Sequence, residues 1–435
     1  MKDLIIKNVE VVTVDPHGRI IPDGVIHVRS GQISFVGRAQ DAPEAGPGFP
    51  VIEGRGRVAI PGLVNTHTHA AMCMLRGYAD DLPLREWLET KIFPIEEKLT
   101  AEDVYYGTLL ACTEMIRSGT TTFADMYFYM DEVAQAVRET SMRASLCLGM
   151  TSLGADPGQT LARGVEFCTK WNGEAGGRIT TMLGPHAPYT CSPEFMREVA
   201  QRARDLGVRV HTHISETSRE VREIREAQGV SPVQLLQSVG LFDVPVLAAH
   251  CVALSEDDID ILSGNRVGVA HNPGSNMKLA SGIAPVPRML DRGVRVGLGT
   301  DGAASNNNLD MIEEMRLAAL LHKVFTGDPT VMPAAKCLEM ATAGGAACLG
   351  LQDQIGSLEV GKKADIVLVD FNSPHLTPHA DPISHLVYAA SGADVSTVII
   401  DGTVVMEDRR LLSIDEEEIL AKVEKRALDL KVERK

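Results

Sequence analysis

Two histidines separated by one residue, His67 and His69, follow an apolar segment that favours a β-strand. Residues i and i+2 of a strand project to the same face, so both imidazoles can reach one point. Neutral imidazole is a common ligand of zinc and related metals. Two polar residues at a strand end are the alternative for such a pair considered alone. The pair therefore indicates a metal site only if the chain supplies further ligands.

Further ionisable residues follow later apolar segments at corresponding places. They are His186, His213, Glu216, His250 and Asp301. In a parallel barrel the carboxyl ends of the strands meet on one face, where barrel enzymes place their active sites. Histidines scattered through a core would have no reason to fall at successive strand ends. The set as a whole favours a metal-dependent site over ordinary packing.

His67, His69, His213 and Asp301 supply three imidazoles and one carboxylate. This donor set suits one divalent metal per chain, zinc first and iron as the alternative, with a position left open for water. A metal of this kind makes hydroxide available near pH 7. The chemistry that this predicts is hydrolysis.

Two neighbouring groups could assist the hydrolysis. Glu216 follows His213 by three residues, close enough to carry a proton without binding the metal; a surface carboxylate in a loop is the alternative. His250 is either a ligand of a second metal or a partner that orients the hydroxide. The fourth strand offers no Lys that could bridge two metals, which favours one metal.

The other histidines lack such a setting. His211 shares a strand face with His213 but lies deeper, so we expect a hydrogen-bonded core histidine. His271 ends the seventh strand, where packing of a loop and lining of the site are equally compatible with the sequence. The remaining histidines are expected on the surface or in packing: His17, His27, His322, His375, His379 and His385.

The elements that must position these residues alternate along the chain. Eight predicted strands are separated by amphipathic segments of helical period, among them 102–118, 192–206 and 255–262. The strands are predicted at 58–66, 120–126, 144–150, 179–183, 208–213, 246–250, 267–271 and 294–298. This alternation predicts an α/β fold, a (β/α)8 TIM-like barrel.

Both termini favour β-structure without this alternation. Strands are expected at 4–14, 24–29 and 32–36, and again at 356–361, 364–370 and 397–405 with an Asp401-Gly402 turn. Each group is too small to bury a core alone, so we expect them to pair into a small β-sandwich side domain built from both termini. The predicted organisation is 1–57 for its first part, 58–350 for the barrel and 351–435 for its second part, which ends in a charged, solvated helix from about residue 415.

Composition narrows the class of partner. The chain has 435 residues, with 42 Lys and Arg against 58 Asp and Glu, and its charge of −16 disfavours a polyanion such as nucleic acid. The eight cysteines form no CxxC pair, and no stretch approaches 18 apolar residues. We expect a cytoplasmic protein with a small-molecule substrate and no membrane partner, and the sequence leaves room for a homo-oligomer.

Essentially the whole chain resembles the amidohydrolase superfamily, and within it the 5′-methylthioadenosine/S-adenosylhomocysteine deaminases. The segments that carry the resemblance are PGLVNTHTHAAMCMLRGYADDLPLREWL, FPIEEKL, GPHAPYTCSP, HTHISET, AAHCV, HNPGSNMKLASGIAPV, GTDGAASNNNLDM and GSLEVGKKADIVLVD. Glu96, His186 and the segment 306–311 are more similar to these deaminases than to triazine hydrolases or guanine deaminases. The resemblance implies that His67, His69, His213 and Asp301 hold one metal, with His250 beside the hydroxide.

The same resemblance implies roles in substrate binding. Glu216 would contact the purine ring and transfer protons, Glu96 would bind the ribose hydroxyls, and His186 would help to hold the nucleoside. Asp301 also belongs to the expected substrate-binding set. Trp87 is similar to a pocket residue near the sugar, with an ordinary packed indole as the alternative.

One departure from the family concerns S-adenosylhomocysteine. Members that use it well have two arginines, after the third strand and before the next helix, that clamp its amino-acid carboxylate. The matching positions here are Leu148 and Thr160, and only Arg163 lies nearby. This favours 5′-methylthioadenosine as the better substrate.

The expected reaction is hydrolytic deamination at C6 of adenine. Asp301 takes a proton from water, Glu216 protonates the ring nitrogen, His250 stabilises the adduct, and ammonia leaves to give the inosine derivative. Hydrolysis of another N-heterocycle, of the triazine or guanine type, is the alternative within the same class. A non-catalytic barrel that serves as a scaffold is the alternative from another class.

Overall fold

Eight parallel strands form the barrel in the computed structural model, which describes residues 3–44, 48–153 and 156–432. Each strand pairs with its neighbours in chain order. The strands are Leu63–Thr68, Thr120–Tyr127, Arg143–Met150, Ile179–Pro185, Arg209–Ile214, Val246–His250, Gly268–His271 and Arg295–Leu298. The predicted (β/α)8 barrel is confirmed.

The ring closes between the first and the eighth strand through side chains. Thr66 Oγ1 donates to the Leu298 carbonyl (2.8 Å), and Asn65 Nδ2 donates to Thr300 Oγ1 (2.8 Å). A backbone hydrogen bond from Asp301 N to His67 O (2.9 Å) follows at the carboxyl end. The closure therefore places His67 next to Asp301.

Helices follow the barrel strands and cover their outer side. Those of the barrel are Ala101–Arg117, Met130–Thr140, Pro157–Trp171, Pro193–Leu206, Ser218–Gln228, Pro232–Ser238, Glu256–Gly264, Pro273–Lys278, Val286–Asp291, Met311–Thr326, Ala334–Glu339 and Gly345–Leu349. Ser192 and Ser255 cap two of them, each accepting a hydrogen bond from the third residue of its helix. The helices predicted at these two caps are confirmed.

A separate segment of short helical turns, the excursion at residues 70–96, follows the first barrel strand. The segment begins with a 3₁₀ turn at Ala70–Leu75 and carries the one-turn helices Leu84–Trp87 and Phe93–Glu96, joined by a π-helical turn at Leu88–Ile92. It covers one side of the face where the barrel strands end, because Trp87 and Glu96 both line the cavity there.

The two termini share one mixed sheet of nine strands within the described residues. Its strands are Leu4–Val12, Ile20–Arg29, Gln32–Arg38, Val51–Glu53, Arg57–Pro61, Ile366–Asp370, Val395–Ile400, Thr403–Glu407 and Arg410–Leu411. Alternation along Ile366–Asp370 separates two cores: Ile366 and Leu368 face the core of the side domain, while Val367 and Val369 pack with the barrel helices. The predicted side domain built from both termini is confirmed, in the form of one separate mixed sheet among the described residues.

The single strand predicted at 58–66 is two strands in two sheets. Arg57–Pro61 pairs antiparallel with Ile366–Asp370 in the terminal sheet, and Leu63–Thr68 begins the barrel. Gly62 joins them in close contact with the second strand, since a Cβ there would lie 2.1 Å from Thr121 Oγ1. The terminal sheet thus extends past the expected boundary at residue 57.

Two other expectations at the C-terminal side are wrong. Residues 356–361 form turns instead of a strand, tied to the sheet by the Leu358 amide bonding to the Thr13 carbonyl (2.8 Å). The final helix, Glu416–Val432, is not simply solvated: Ile419 and Val423 are buried, and Arg426 pairs with Asp103 (2.6 Å) on the first long helix. Apolar residues spaced four apart give this helix a face that packs.

The structure also shows the state of the cysteines and the character of the helices. All eight cysteines are free and buried. Among the helices in the described part of the chain, none combines the length and the apolar composition needed to cross a bilayer.

Candidate metal centre and active site

The ends of the barrel strands bring the predicted residues together. His67 lies in the first strand, and His69 follows it at the start of the 3₁₀ turn. His213 lies near the end of the fifth strand and His250 is the last residue of the sixth. Asp301 follows the eighth strand. The period of two in the first strand is the local reason why His67 and His69 share one face.

These side chains form a compact cluster. One ring nitrogen from each of His67, His69 and His213 lies within 4.8 Å of the other two. A second group within the same distance consists of one ring nitrogen each from His67 and His250 and a carboxylate oxygen of Asp301. Asp301 Oδ1 lies 3.4 Å from Nε2 of both His67 and His69. The arrangement supports a divalent metal at this point.

The second ring nitrogen of each histidine is occupied. Nδ1 of His69 donates to the Met126 carbonyl (2.6 Å), and Nδ1 of His213 donates to the His186 carbonyl (2.7 Å). These bonds hold the Nε2 atoms toward the cluster, as is usual for metal-binding histidines. His67 Nε2 is buried and has no hydrogen-bond partner within residues 3–44, 48–153 and 156–432. An unpartnered buried nitrogen aimed at a carboxylate fits a metal ligand.

His211 supports His67 from below. Its Nε2 lies 2.9 Å from His67 Nδ1, and its Nδ1 lies 3.6 Å from Cys147 Sγ. If His67 donates to His211, then His211 must donate to the Cys147 sulfur, whose thiol lies 3.3 Å from the Asp125 carbonyl and can donate to it. His211 is fully buried and hydrogen-bonded, as the sequence predicted.

Burial keeps the imidazoles of His67 and His213 neutral by lowering their pKa. Burial lowers the pKa of His67 to about 4 and also lowers the pKa of His213. The neutral form is the one that binds metals, so the barrel interior favours ligation over protonation.

Asp301 is held in place by three donors. Ser275 Oγ (2.6 Å) and Ser305 Oγ (2.9 Å) donate to its Oδ2, and the Gly302 amide donates to its Oδ1 (2.8 Å). Burial by itself raises the pKa of Asp301, but the nearby His67 and other imidazoles outweigh it and hold the pKa well below its usual range. The carboxylate is therefore ionised and oriented.

Glu216 and His250 form a second pair beside the cluster. Glu216 Oε2 lies 3.9 Å from His250 Nε2, and Asn276 Oδ1 fixes the other side of the His250 ring at 2.9 Å. Burial raises the pKa of Glu216. Burial opposes the charged form of His250, but Glu216 and Asp301 outweigh this and raise its pKa. A carboxyl group with a raised pKa is suited to exchange protons near neutrality.

The sequence analysis missed Glu220, which holds the backbone of this region. Its carboxylate accepts the amides of Ser215 (3.0 Å) and Glu216 (2.8 Å), while Thr217 caps the helix Ser218–Gln228. The Thr-x-x-Glu pattern at 217–220 is typical of a helix start and could have indicated it. The Glu220 carboxylate accepts the Glu216 amide, which precedes the helix cap Thr217, and so fixes the main chain at Glu216.

His271, the last residue of the seventh strand, points away from the cavity and toward His322. His271 Nε2 lies 3.2 Å from His322 Nε2, and both rings are buried. His271 is absent from the lining of the cavity in the described part of the chain. Of the two expectations for His271, packing is the one that the structure supports.

A cavity opens above the cluster and contains the predicted substrate-binding residues. His69, His213, Glu216, His250 and Asp301 form its base. Its walls include Trp87, Glu96 and His186, together with the apolar or aromatic residues Met72, Leu84, Leu88, Phe93, Met126, Tyr127, Phe128, Tyr189 and Leu279. The lining contains no Lys or Arg among the residues that the structure describes.

Three of these wall residues have defined partners. Trp87 Nε1 donates to the Ala79 carbonyl (3.0 Å), which anchors the indole on its own segment. His186 Nδ1 lies 2.9 Å from Thr190 Oγ1, and burial lowers the pKa of His186 to about 4. Glu96 accepts a hydrogen bond from the Tyr127 hydroxyl.

Neither of the two positions matched to the carboxylate clamp, Leu148 and Thr160, borders the cavity among the described residues. Leu148 is buried in the third strand and is not part of the cavity lining in the described residues, whereas the next residue, Gly149, is. Thr160 lies on the helix Pro157–Trp171 and bonds to the Asp156 carbonyl (3.3 Å). Arg163 is exposed on that helix. The position that faces the cavity is therefore Gly149, which likewise offers no donor side chain.

Similarity to known proteins agrees with this site. Residues 58–405 match the profile of the Amidohydrolase family. A 5-methylthioadenosine/S-adenosylhomocysteine deaminase of Pelotomaculum thermopropionicum is 55% identical over 99% of both chains, and a 5′-deoxyadenosine deaminase of Methanosarcina acetivorans is 53% identical over 99% of both. The crystal structure of an adenosine deaminase from Xanthomonas campestris with bound zinc superimposes with a TM-score of 0.95 at 36% identity, covering 99% of each chain. The chain belongs to the amidohydrolase family.

Proposed function

We propose that the protein is a metal-dependent aminohydrolase that deaminates adenosine-type nucleosides at C6, with 5′-methylthioadenosine preferred. The products are the inosine derivative and ammonia. The observation that carries the proposal is one cavity with a histidine and carboxylate cluster at its base and Glu96 in its wall. Such a cavity can bind a base at one end and a sugar at the other. The names of the relatives support the same substrate class.

The metal would be held by His67, His69, His213 and Asp301. Among the described residues, the Nε2 atoms of the three histidines have no competing hydrogen bond, and burial lowers the pKa of His67 and His213 and so favours their neutral form. Zinc suits three nitrogens and one carboxylate best, with iron as the alternative. A divalent cation at this point supplies Lewis-acid chemistry that makes hydroxide available near neutral pH.

Three side chains would then move protons and stabilise charge. Asp301, which its low pKa keeps ionised and which two serines orient, would accept the proton of the attacking water and pass it to the amino group, which then leaves as ammonia. Glu216, whose pKa burial raises, would donate a proton to the ring nitrogen next to C6 and recover one from the C6 hydroxyl as the carbonyl of the product forms. His250, whose raised pKa favours the charged form, stabilises the developing negative charge.

The rest of the cavity would select the nucleoside. Three residues that line the cavity, Trp87, Glu96 and His186, carry this selection. Glu96 would accept hydrogen bonds from the ribose hydroxyls, His186 would help to hold the nucleoside, and Trp87 would pack near the sugar. An apolar 5′ substituent suits Leu84, Phe93 and the other apolar walls. A charged amino-acid tail finds no cation among the described lining residues, and an unpaired carboxylate is costly to desolvate.

One kinetic profile tests the proposal. Purified protein is assayed with adenosine, 5′-methylthioadenosine, 5′-deoxyadenosine and S-adenosylhomocysteine, following ammonia and the inosine product. We expect turnover of the nucleosides, with 5′-methylthioadenosine ahead of S-adenosylhomocysteine. Activity on triazines or guanine alone would favour the other N-heterocycle hydrolases, and no activity on any heterocycle would favour a scaffold.

We also propose that the enzyme works in the cytoplasm. The acidic charge of −16 and the nucleoside substrate are compatible with this setting. Light scattering of the purified protein measures whether it forms a homo-oligomer. Fractionation of the native cells tests the location.

A further inference from the structure

Tyr127 connects the barrel to Glu96. The Tyr127 hydroxyl donates a hydrogen bond of 2.7 Å to Glu96 Oε1. Tyr127 is the last residue of the second barrel strand, whereas Glu96 ends the short helix Phe93–Glu96 of the excursion after the first strand. Both residues line the cavity. A rigid strand end therefore holds a carboxylate that belongs to a different segment.

The Tyr127 ring is itself well fixed. It is 4% exposed, and it stacks on Phe128 with ring centres 4.0 Å apart and an interplanar angle of 22°. Its main chain pairs with Leu148 of the third strand. The hydroxyl can thus act as a fixed donor, since neither the ring nor the strand has room to turn.

The Glu96 side chain depends on this one bond. Among the described residues, Tyr127 is the sole hydrogen-bond partner of its carboxylate. Oε2 and the second lone pair of Oε1 remain for a ligand. Burial raises the pKa of Glu96 to about 7, and the hydrogen bond from Tyr127 acts in the opposite direction. Tyr127 thus both orients the carboxylate and favours its charged, accepting form.

We propose that Tyr127 is a positioning residue that presents Glu96 to the two adjacent hydroxyls of a ribose, and so determines the preference for ribonucleosides over their 2′-deoxy analogues. This inference rests on the proposed function. A carboxylate that must accept two neighbouring hydroxyls needs a defined orientation, and a site built to bond a hydroxyl rejects the analogue that lacks it. Without the tyrosine hydroxyl, the carboxylate can rotate and accept a proton, and the diol loses its advantage.

The test compares two substrates that differ by one hydroxyl. Values of kcat and KM are measured for 5′-deoxyadenosine and 2′,5′-dideoxyadenosine with the wild type and with Tyr127→Phe. We expect Tyr127→Phe to lower kcat/KM for 5′-deoxyadenosine about 10- to 100-fold, mainly through KM, which is the usual effect of losing a hydrogen bond to a charged group. The dideoxy substrate should change less than about threefold, so the preference collapses.

Two further variants separate positioning from a structural effect. Tyr129→Phe removes a hydroxyl from a tyrosine that is 43% exposed and absent from the described cavity lining, and should leave the preference unchanged. Glu96→Ala should lose the same preference, and adding Tyr127→Phe to it should change the preference no further. If Tyr127→Phe folds poorly, Glu96→Ala can still overturn the inference, because a preference that survives the loss of Glu96 cannot depend on how Tyr127 positions it.

The outcomes distinguish the inference from the proposed function. An unchanged preference in a folded Tyr127→Phe protein, or equal losses on both substrates, would overturn the inference. Retention of the preference by Glu96→Ala would overturn it as well. A wild-type protein that deaminates neither nucleoside would instead refute the proposed function.

Discussion

His67 Nε2 and Asp301 Oδ1, at the ends of the first and the eighth barrel strands, lie 3.4 Å apart where the barrel closes. His69 Nε2 lies at the same distance from the same oxygen. Each of these side chains is also held from behind, His69 by the Met126 carbonyl and Asp301 by Ser275 and Ser305. These contacts fix the orientation of the cluster, and polar groups that are fixed in this way need little reorganisation during a reaction.

The first prediction concerns metal content. Protein purified without chelator should contain about one equivalent of zinc or iron per chain, as the donor set of three imidazoles and a carboxylate requires. His69→Ala should lose the metal, whereas His17→Ala, which changes an exposed histidine, should keep it. Elemental analysis measures both. Full activity in protein shown to be metal-free would contradict the assignment.

The second prediction separates Glu216 from the ligands. Glu216→Gln should retain the metal while kcat falls about 10²- to 10⁴-fold, because the amide cannot transfer the proton. Glu226→Gln is the matched control, since Glu226 is exposed on the following helix. Steady-state kinetics together with elemental analysis decide the result. Near-normal turnover by a metal-loaded Glu216→Gln protein would exclude the role.

The third prediction concerns the 5′ substituent. The value of kcat/KM for 5′-methylthioadenosine should exceed that for S-adenosylhomocysteine, by tenfold for each ~1.4 kcal/mol of interaction that the carboxylate does not recover. Arg163→Ala should change neither value appreciably, because Arg163 is exposed on its helix. Both substrates are measured side by side. Equal or better use of S-adenosylhomocysteine would show that another group meets its carboxylate.

A variant at Gly149 tests whether adding a cation to the cavity improves the use of S-adenosylhomocysteine. A Cβ on Gly149 would have its nearest neighbour, the Tyr127 carbonyl oxygen, at 3.5 Å, which is ordinary contact. Gly149→Arg can therefore be accommodated at the backbone and would place a guanidinium in the cavity, where it can pair with a carboxylate. We expect the ratio of S-adenosylhomocysteine to 5′-methylthioadenosine turnover to rise about tenfold or more. Gly149→Ala is the control for the loss of the glycine itself.

The fourth prediction concerns the junction between the barrel and the terminal sheet. Arg143 Nε and Nη2 bond to Asp365 at 3.0 and 3.2 Å, and the two side chains are 2% and 3% exposed. Asp365→Ala leaves a buried charge unpaired and should lower the free energy of unfolding by about 3–5 kcal/mol. Glu223→Ala, which breaks the exposed pair with Arg219, should cost less than about 1 kcal/mol. Urea unfolding measures both, and equal costs would contradict the argument.

The fifth prediction concerns acid stability. Burial lowers the pKa of His322 from 6.5 to about 4, so the unfolded chain binds more protons than the folded one between these values. The free energy of unfolding therefore falls as the pH is lowered through this window, by ~1.4 kcal/mol per pH unit from this group. His322→Gln should reduce the slope by about one proton, while the exposed His17→Gln should leave it unchanged. Unfolding curves from pH 6.5 to 4.5 give the slopes, and an identical slope for His322→Gln would refute the prediction.

Local patterns were sufficient for the architecture and for the residues at the base of the cavity. The period of two placed His67 and His69 on one face, and the alternation of strands with helices predicted a barrel whose strand ends converge. These features depend on residues close together in the chain, so they can be recognised without coordinates. The resemblance to a family added Glu96 and Trp87, which lie outside any local pattern of this kind, and it gave His186 its expected role.

Only the tertiary structure decided which distant residues meet. The Tyr127 hydroxyl reaches Glu96 across two segments, and His271 turns toward His322 instead of the cavity. In the third strand, successive residues face opposite sides of the sheet, and the rotation of the strand places Gly149 and not Leu148 at the cavity. Such choices depend on how each strand is rotated by long-range packing and on which side-chain conformations the core allows. The amino-acid sequence by itself determined the chemistry at the strand ends, and the packed barrel determined how that chemistry is oriented and what surrounds it.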